Sequence, residues 1–417
     1  MGFPAHGRPA DEVMTELAAR RHGDVRWAEG RTFGLVFDGG PEVHRVAEEA
    51  ARLYLHDNAL NTKAFPSLGA IQADVVAWTA DLLHGPPTAA GFMTSGGTES
   101  ILCAVKAARE RGRAERGVDS PNLVLATSAH AAFHKAGHLF GIEVRAVDVR
   151  PDWTADPDAM ADVCDDSTVL VVGSAPQYPQ GVVDPIPALA ELAQSVGANC
   201  HVDACMGGFV LPFAEQLGRP VPPWDFRVEG VTSISADLHK LGYAPKGASV
   251  ILHRTKELRR YQTFVFDGWL GGLYASPNLQ GTRSGVPMAA AWAVVSYLGT
   301  EGYLRLTATA LEAADRLRAG VAAIDGLQVL GDGSFHLVAL AAAPGWEDRL
   351  DIFAVGDALA EQGWFHDRQT PPDNLHATVS AGNAPVIEDY LADLAASVEQ
   401  VVDRRLDDRS TGYATLE

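Results

Sequence analysis

Hydrophobic and polar positions fall into two textures along this chain. Between residues 91 and 254 short apolar runs recur: GFMTS (91–95), NLVLATS (122–128), VRAVDV (144–149), TVLVVGSA (168–175), NCHVDAC (199–205), VTSISAD (231–237) and ASVILHR (248–254). Segments with apolar residues at helical spacing, such as 98–112, 130–140 and 186–196, separate most of them. Strands buried on both faces read as near-continuous apolar runs, so the alternation predicts a mainly parallel α/β sheet covered by helices. Ligands of such sheets bind at the C-terminal ends of the strands, which gives most weight to the residues ending each run.

Elsewhere the pattern differs. Residues 9–29 predict a charged helical arm, and 43–85 predict a helix, a polar break (HDNALNTKAFPS) and a second helix. Val286–Leu298 is alanine-rich and closed by Gly299-Thr300-Glu301, which predicts a buried helix. Beyond residue 300 come a helix (301–322), alternating strands (LQVLG, FHLVALAA), a helix (350–362), a proline- and asparagine-containing loop (370–375) and a last helix (386–404). The expected organisation is an arm over 1–60, a large domain over 61–300 and a small α+β domain over 301–417, ending in a mobile polar tail.

Composition narrows the function. With 47% hydrophobic and 21% charged residues the chain is ordinarily globular, and its formal net charge of -20 disfavours nucleic acid and anionic membrane surfaces as partners. An anionic substrate would need a local basic pocket. Four cysteines, none at CxxC spacing, fit reduced thiols rather than a disulfide framework. There is no basic-then-apolar leader and no run of about 18 apolar residues of spanning quality. These features predict a soluble cytoplasmic protein without stable membrane insertion.

Three motifs then carry chemistry. The first strand runs into Thr94-Ser95-Gly96-Gly97-Thr98-Glu99-Ser100 at a helix start, where glycines allow close approach and free N–H groups bind anions such as phosphate. By itself this could equally be a capped helix after a glycine turn. Strand 199–205 carries Asp203, and a buried strand aspartate needs a cation, a protonated ring or a cap to satisfy it. The stretch SADLHKLGYAPKG (235–247) places Lys240 just past a strand end, where a Schiff-base lysine could sit, although a lone lysine is usually a surface cation. Phosphate turn, strand aspartate and lysine, in that order, form the pattern of a pyridoxal-phosphate site: the aspartate keeps the pyridine nitrogen protonated and the lysine binds the aldehyde. His130, His134 and His138 fall four apart, as in a metal-binding helix, but stacking and surface roles account for them and no metal is expected.

The blocks MTSGGTESI (93–101), SAHAAFHKA (128–136), GSAPQYPQGVVDPI (173–186), HVDACMGGFVLPF (201–213), SADLHKLGYAPKG and GWLGGLYASPNLQGTRSG (268–285) resemble, in order, the sphingosine-1-phosphate lyase branch of the group II decarboxylases. These are fold-type I pyridoxal-phosphate enzymes. The resemblance spans about residues 54–400 and implies a seven-stranded, mainly parallel large domain with a smaller C-terminal domain. It implies that Gly97 and Thr98 hold the cofactor phosphate and that His130 stacks on the ring. Asp203 would pair with the ring nitrogen, Lys240 would be the Schiff-base lysine, and His239 would lie beside the phosphate or move protons. Thr282, where the family has serine, would reach the phosphate from the partner subunit of a homodimer. Asn58 and Lys246 would line the region of the substrate phosphate, and Tyr413 would close over the site. His134 stands where the family has aspartate; Asn61 and Lys63 replace its histidine and aspartate. The implied activity is carbon–carbon cleavage of a phosphorylated sphingoid base to a fatty aldehyde and phosphoethanolamine. Amino-acid decarboxylation, a catalytically silent relative and a phosphate-binding regulatory module are the alternatives.

Overall fold

The computed structural model describes residues 2–331, 333–404 and 411. Helix α1 (Ala10–Ala19) buries none of its residues. It is shorter than the charged stretch 9–29, since the chain turns after Arg20. Helices α2 (Pro41–Leu53) and α3 (Pro66–Leu82) flank the expected polar break, each with proline in its first turn, where the missing N–H costs nothing.

The central sheet has all seven expected strands: β1 (Ala90–Thr94), β2 (Asn122–Ala126), β3 (Glu143–Val147), β4 (Thr168–Ser174), β5 (Asn199–Asp203), β6 (Val231–Ala236) and β7 (Ser249–His253). Their order is β1-β7-β6-β5-β4-β2-β3. Only β7 runs against its neighbours β1 and β6, so the other six strands share one direction. Strands β2, β4 and β5 are buried at every position; β2 and β4 are mostly apolar, whereas β5 buries Asn199, His201 and Asp203 as well. Strand β3 is the exposed edge, and its Glu143 and Arg145 guard it against pairing with another chain.

Helices α4 (Gly97–Arg116), α5 (Ala132–Phe140), α6 (Pro157–Asp162), α7 (Ile186–Ser195), α8 (Leu211–Gln216) and α9 (Lys256–Arg260) follow strands of this sheet. His130 precedes α5, and His134 and His138 point to solvent, so the three histidines do not share a helix face. A short antiparallel hairpin not anticipated from sequence, β8 (Phe264–Phe266) with β9 (Tyr274–Ser276), projects from the body. Helix α10 (Val286–Ala322) carries non-helical angles at Gly299 (φ 53°, ψ −172°), the glycine expected to close its first half.

The C-terminal part is a four-stranded antiparallel sheet, β10 (Leu327–Leu330), β11 (Leu337–Ala342), β12 (Asp367–Gln369) and β13 (Asn374–Thr378), in the order β10-β11-β13-β12. It packs with α11 (Ile352–Glu361) and α12 (Ile387–Val401) around Phe33, Phe353, Trp364 and Tyr390. The predicted 370–375 loop is shorter than expected, because β13 begins at Asn374. Among the described residues no helix is long and apolar enough to cross a membrane.

Candidate active site

The C-terminal ends of β1, β4, β5 and β6 open on one cleft of about 270 Å³. Gly97, Thr98, His130, Asp203, His239 and Lys240, six of the residues expected at a cofactor site, all line it. Parallel strands bring them together, since strand ends 29 to 142 positions apart in sequence (Thr94, Ser174, Asp203 and Ala236) lie at the same edge of the sheet.

The glycine turn makes the cleft possible. A Cβ on Gly97 would sit 2.7 Å from Cys205 Sγ and 2.9 Å from Asp237 Oδ2, so no larger residue fits. The twenty-residue helix α4 begins here with its first N–H groups at the cleft, an arrangement suited to a phosphate. Glu99, buried one turn in, accepts from Ser95 N (2.7 Å) and Ser95 Oγ (2.8 Å) through Oε2 and from Leu279 N (3.0 Å) through Oε1. It ties the turn to the segment that leads into Thr282.

Asp203 closes β5 and is 7% exposed. Its Oδ1 accepts from Cys205 N (3.0 Å) and Ser235 Oγ (3.1 Å), and among the described residues no cation pairs with it. Ser235 also meets His201 Nε2 (3.2 Å), whose other nitrogen meets Ser233 (2.9 Å). Burial pushes the His201 imidazole down to about 4, so this histidine props the carboxylate as a neutral group. A buried carboxylate facing a cleft without a protein cation is placed for a protonated ring nitrogen.

Lys240 Nζ lies 3.1 Å from Asp237 Oδ2, and His239 Nε2 lies 3.5 Å from the same oxygen. Burial opposes the charge of Asp237, but the Lys240 ammonium and His239 outweigh it and hold the carboxyl well below the usual range. His239 Nδ1 accepts from Ala248 N (3.2 Å), which fixes its ring beside Gly96. His130 Nδ1 accepts from Ala132 N (3.0 Å), and burial lowers its pKa, favouring the neutral ring. An anion-binding turn, a cleft-facing carboxylate and a partly buried lysine amine fit pyridoxal phosphate at its phosphate, ring nitrogen and aldehyde.

Lys246 lies in an adjoining cavity with Lys240, Phe37 and Leu35. The residue is exposed, but its ammonium donates to His239 O (2.7 Å) and lies 4.6 Å from the Phe37 ring centre. Burial of that end, with Lys240 nearby, lowers its pKa to about 8.

Asn58 and Thr282 do not line the cleft of their own chain. Asn58 forms a bridge with Ser284, and Ala59 N donates to Arg283 O (2.8 Å), so the two expected residues belong to one surface patch. Thr282 is exposed. Tyr413 lies outside the described residues; Thr411 lines a cavity next to the cleft. Among the described residues no three His, Cys, Asp or Glu side chains gather as a metal site.

Sequence reasoning missed Tyr178, Asp237 and Glu99. Tyr178 lines the cleft and both adjoining cavities. It stands four residues past the end of β4, so its place beyond a strand terminus was the available signal.

Residues 4–342 match the pyridoxal-dependent decarboxylase conserved domain. The chain is 40% identical over 398 residues to sphingosine-1-phosphate lyase of Arabidopsis thaliana, covering 94% of this chain and 72% of that protein. It superposes on the structure of Burkholderia pseudomallei sphingosine-1-phosphate lyase with a TM-score of 0.91 and 40% identity, covering 96% of this chain and 92% of that one. Glutamate decarboxylase of Lactobacillus brevis shares the fold at 21% identity, with a TM-score of 0.84 and coverage of 97% and 96%.

Proposed function

We infer the reaction of this chain from its kinship: it belongs to the pyridoxal-dependent decarboxylase family and, within it, to the sphingosine-1-phosphate lyases. It is a carbon–carbon lyase with pyridoxal 5′-phosphate as cofactor. The substrate is a phosphorylated sphingoid base, cleaved between C2 and C3 to a fatty aldehyde and phosphoethanolamine. The observation that carries this reading is the meeting of Lys240, Asp203 and the Gly97 turn in one cleft.

The bound cofactor supplies an electron sink for the bond that breaks. The protein's residues do the rest. The start of α4, with Thr98 and His239, holds the phosphate. Asp203, braced by Ser235 and Cys205, keeps a proton on the ring nitrogen. His130, neutral, covers one face of the ring. Lys240 Nζ holds the cofactor before substrate arrives, then takes the proton of the substrate C3 hydroxyl. The substrate's own phosphate goes to Lys246, a charge-assisted contact that a sphingoid base needs and an ordinary amino acid lacks.

A homodimer completes the site. Phe264, Phe266, Trp269, Leu270 and Leu273 of the β8–β9 hairpin are exposed, an apolar display larger than single surface hydrophobes. A second copy covering it would bring Thr282 and Asn58 toward the opposite cleft. The cytoplasm is the proposed site of action, in keeping with four free cysteines.

The test is mass spectrometry of products after the cofactor-loaded protein meets phosphorylated sphingoid bases and a panel of amino acids. Aldehyde with phosphoethanolamine is expected. Carbon dioxide and an amine would show a decarboxylase instead, and turnover of neither class would overturn the assignment.

A further inference from the structure

We propose that His201 is a positioning residue: held as the Nε2–H tautomer, it turns the Ser235 hydroxyl toward Asp203 and so steadies the carboxylate that keeps the cofactor's ring nitrogen protonated. This rests on the pairing of Asp203 with that nitrogen read above and extends it to residues that do not line the cleft.

The strand pattern assembles the group. Side chains two apart on a strand share a face, so His201 and Asp203 of β5 point the same way, as do Ser233 and Ser235 of β6. The parallel register sets His201 beside Ser233 and Asp203 beside Ser235, which brings all four onto one face of the sheet. His201, Ser233 and Ser235 are fully buried. The Phe133 ring meets the His201 ring edge-on, with centres 5.9 Å apart, and helps to close water out.

Counting protons fixes the tautomer. A hydroxyl has one proton to give and two lone pairs. Ser235 Oγ gives its proton to Asp203 Oδ1 (3.1 Å), because a carboxylate has none to offer. Toward His201 Nε2 (3.2 Å) it can therefore only accept, so Nε2 carries the imidazole proton. The Cys205 thiol, 3.3 Å away, fills the remaining lone pair; burial, with Asp203 close by, keeps that thiol protonated. Burial also holds the His201 ring neutral, which leaves Nδ1 bare, and Ser233 Oγ donates to it (2.9 Å). Every proton in the series Ser233, His201, Ser235 thus points toward Asp203. Bonds aligned in this way polarise one another, and their dipoles favour a full negative charge on a carboxylate that has no protein cation among the described residues. With the opposite tautomer, Nε2 and Asp203 would compete for the single Ser235 proton, and the carboxylate would lose a donor.

The first test is made on the unsubstituted, cofactor-loaded protein labelled with ¹⁵N-histidine. NMR at neutral pH should show the His201 ring protonated at Nε2 and bare at Nδ1, its resonances being assigned by their loss in His201→Gln. A proton on Nδ1, or on both nitrogens, would overturn the proposal. The second test loads ¹⁵N-labelled pyridoxal phosphate into His201→Phe, which keeps a flat ring without a donor, and into His201→Gln, whose amide nitrogen can donate to Ser235. In His201→Phe the ring-nitrogen resonance should move toward its unprotonated position and kcat should fall roughly tenfold, the size of one hydrogen bond to a charged group, with KM unchanged. His201→Gln should restore both. An unmoved resonance in folded His201→Phe, or no recovery in His201→Gln, would also refute the role. If Asp203→Ala leaves the resonance unmoved, it is the pairing of Asp203 with the cofactor that fails, while the tautomer of His201 still judges the chain of hydrogen bonds.

Discussion

The floor of the cleft and the hairpin side of the molecule differ in one instructive respect. On the floor the chain supplies partners to each charged group: Lys240 meets Asp237, Asp203 accepts from Ser235 and Cys205 N, and Glu99 accepts from four donors. On the other side Phe264, Trp269 and Leu270 stand in solvent, and Thr282 and Asn58 reach no cleft of their own. On the proposed reading the chemistry of electron withdrawal is built by one chain, whereas the enclosure and part of the substrate recognition would come from the second copy of the proposed homodimer. Buried charge must be compensated locally because its desolvation cost is paid on folding. Exposed apolar surface can wait for an assembly step.

Substitutions can break each half of this contrast separately. The largest effect is expected on the floor: Lys240→Ala should lower aldehyde release on the order of 10⁴-fold or more and abolish the absorbance of the lysine–cofactor imine. Asp203→Ala, which removes the proposed partner of the ring nitrogen, should cost on the order of 10³-fold in kcat with the cofactor still bound. On the hairpin side, Phe266→Asp/Leu270→Asp should yield a monomer by light scattering. Its activity should fall on the order of 100-fold, through two lost contacts at roughly tenfold each. A floor that still turned over at full rate in that monomer would erase the contrast.

Lys246, in the cavity that adjoins Lys240, sharpens it. With a pKa lowered to about 8, its ammonium is present below that pH and lost as pH rises through it. In the free enzyme kcat/KM for a phosphorylated substrate should therefore fall above about pH 8, and Lys246→Arg, always charged, should remove the fall. Thr282→Ala is the mildest change, about three- to tenfold in activity, the size of one hydroxyl hydrogen bond.

Much of the floor was legible in the sequence. All seven central strands stood out as short runs rich in apolar residues between helical segments, most clearly β2 and β4, which are buried at every position, and residues ending those runs, such as Asp203, were weighted for that reason. Lys240 needed only the step beyond a strand. The hairpin was not legible: FVF and YAS are three-residue strands, too short to show a period, and their apolar side chains face no core. The role of His201 was hidden for another reason. It depends on Ser233 and Ser235, 32 and 34 residues away on the next strand, and a lone histidine in a buried strand carries no local pattern.

Glu99 has a consequence of its own. A single carboxylate clasps the glycine turn through Ser95 and the 279–280 backbone through Leu279 and Gln280. Slack in either segment is then slack in both. Anion capture at the turn should stiffen the strand-to-helix connection that leads toward the hairpin, and amide exchange at Leu279 and Gln280 should slow when the cofactor is loaded. Occupancy of the pocket would in this way be felt as tension at the outer face of the molecule.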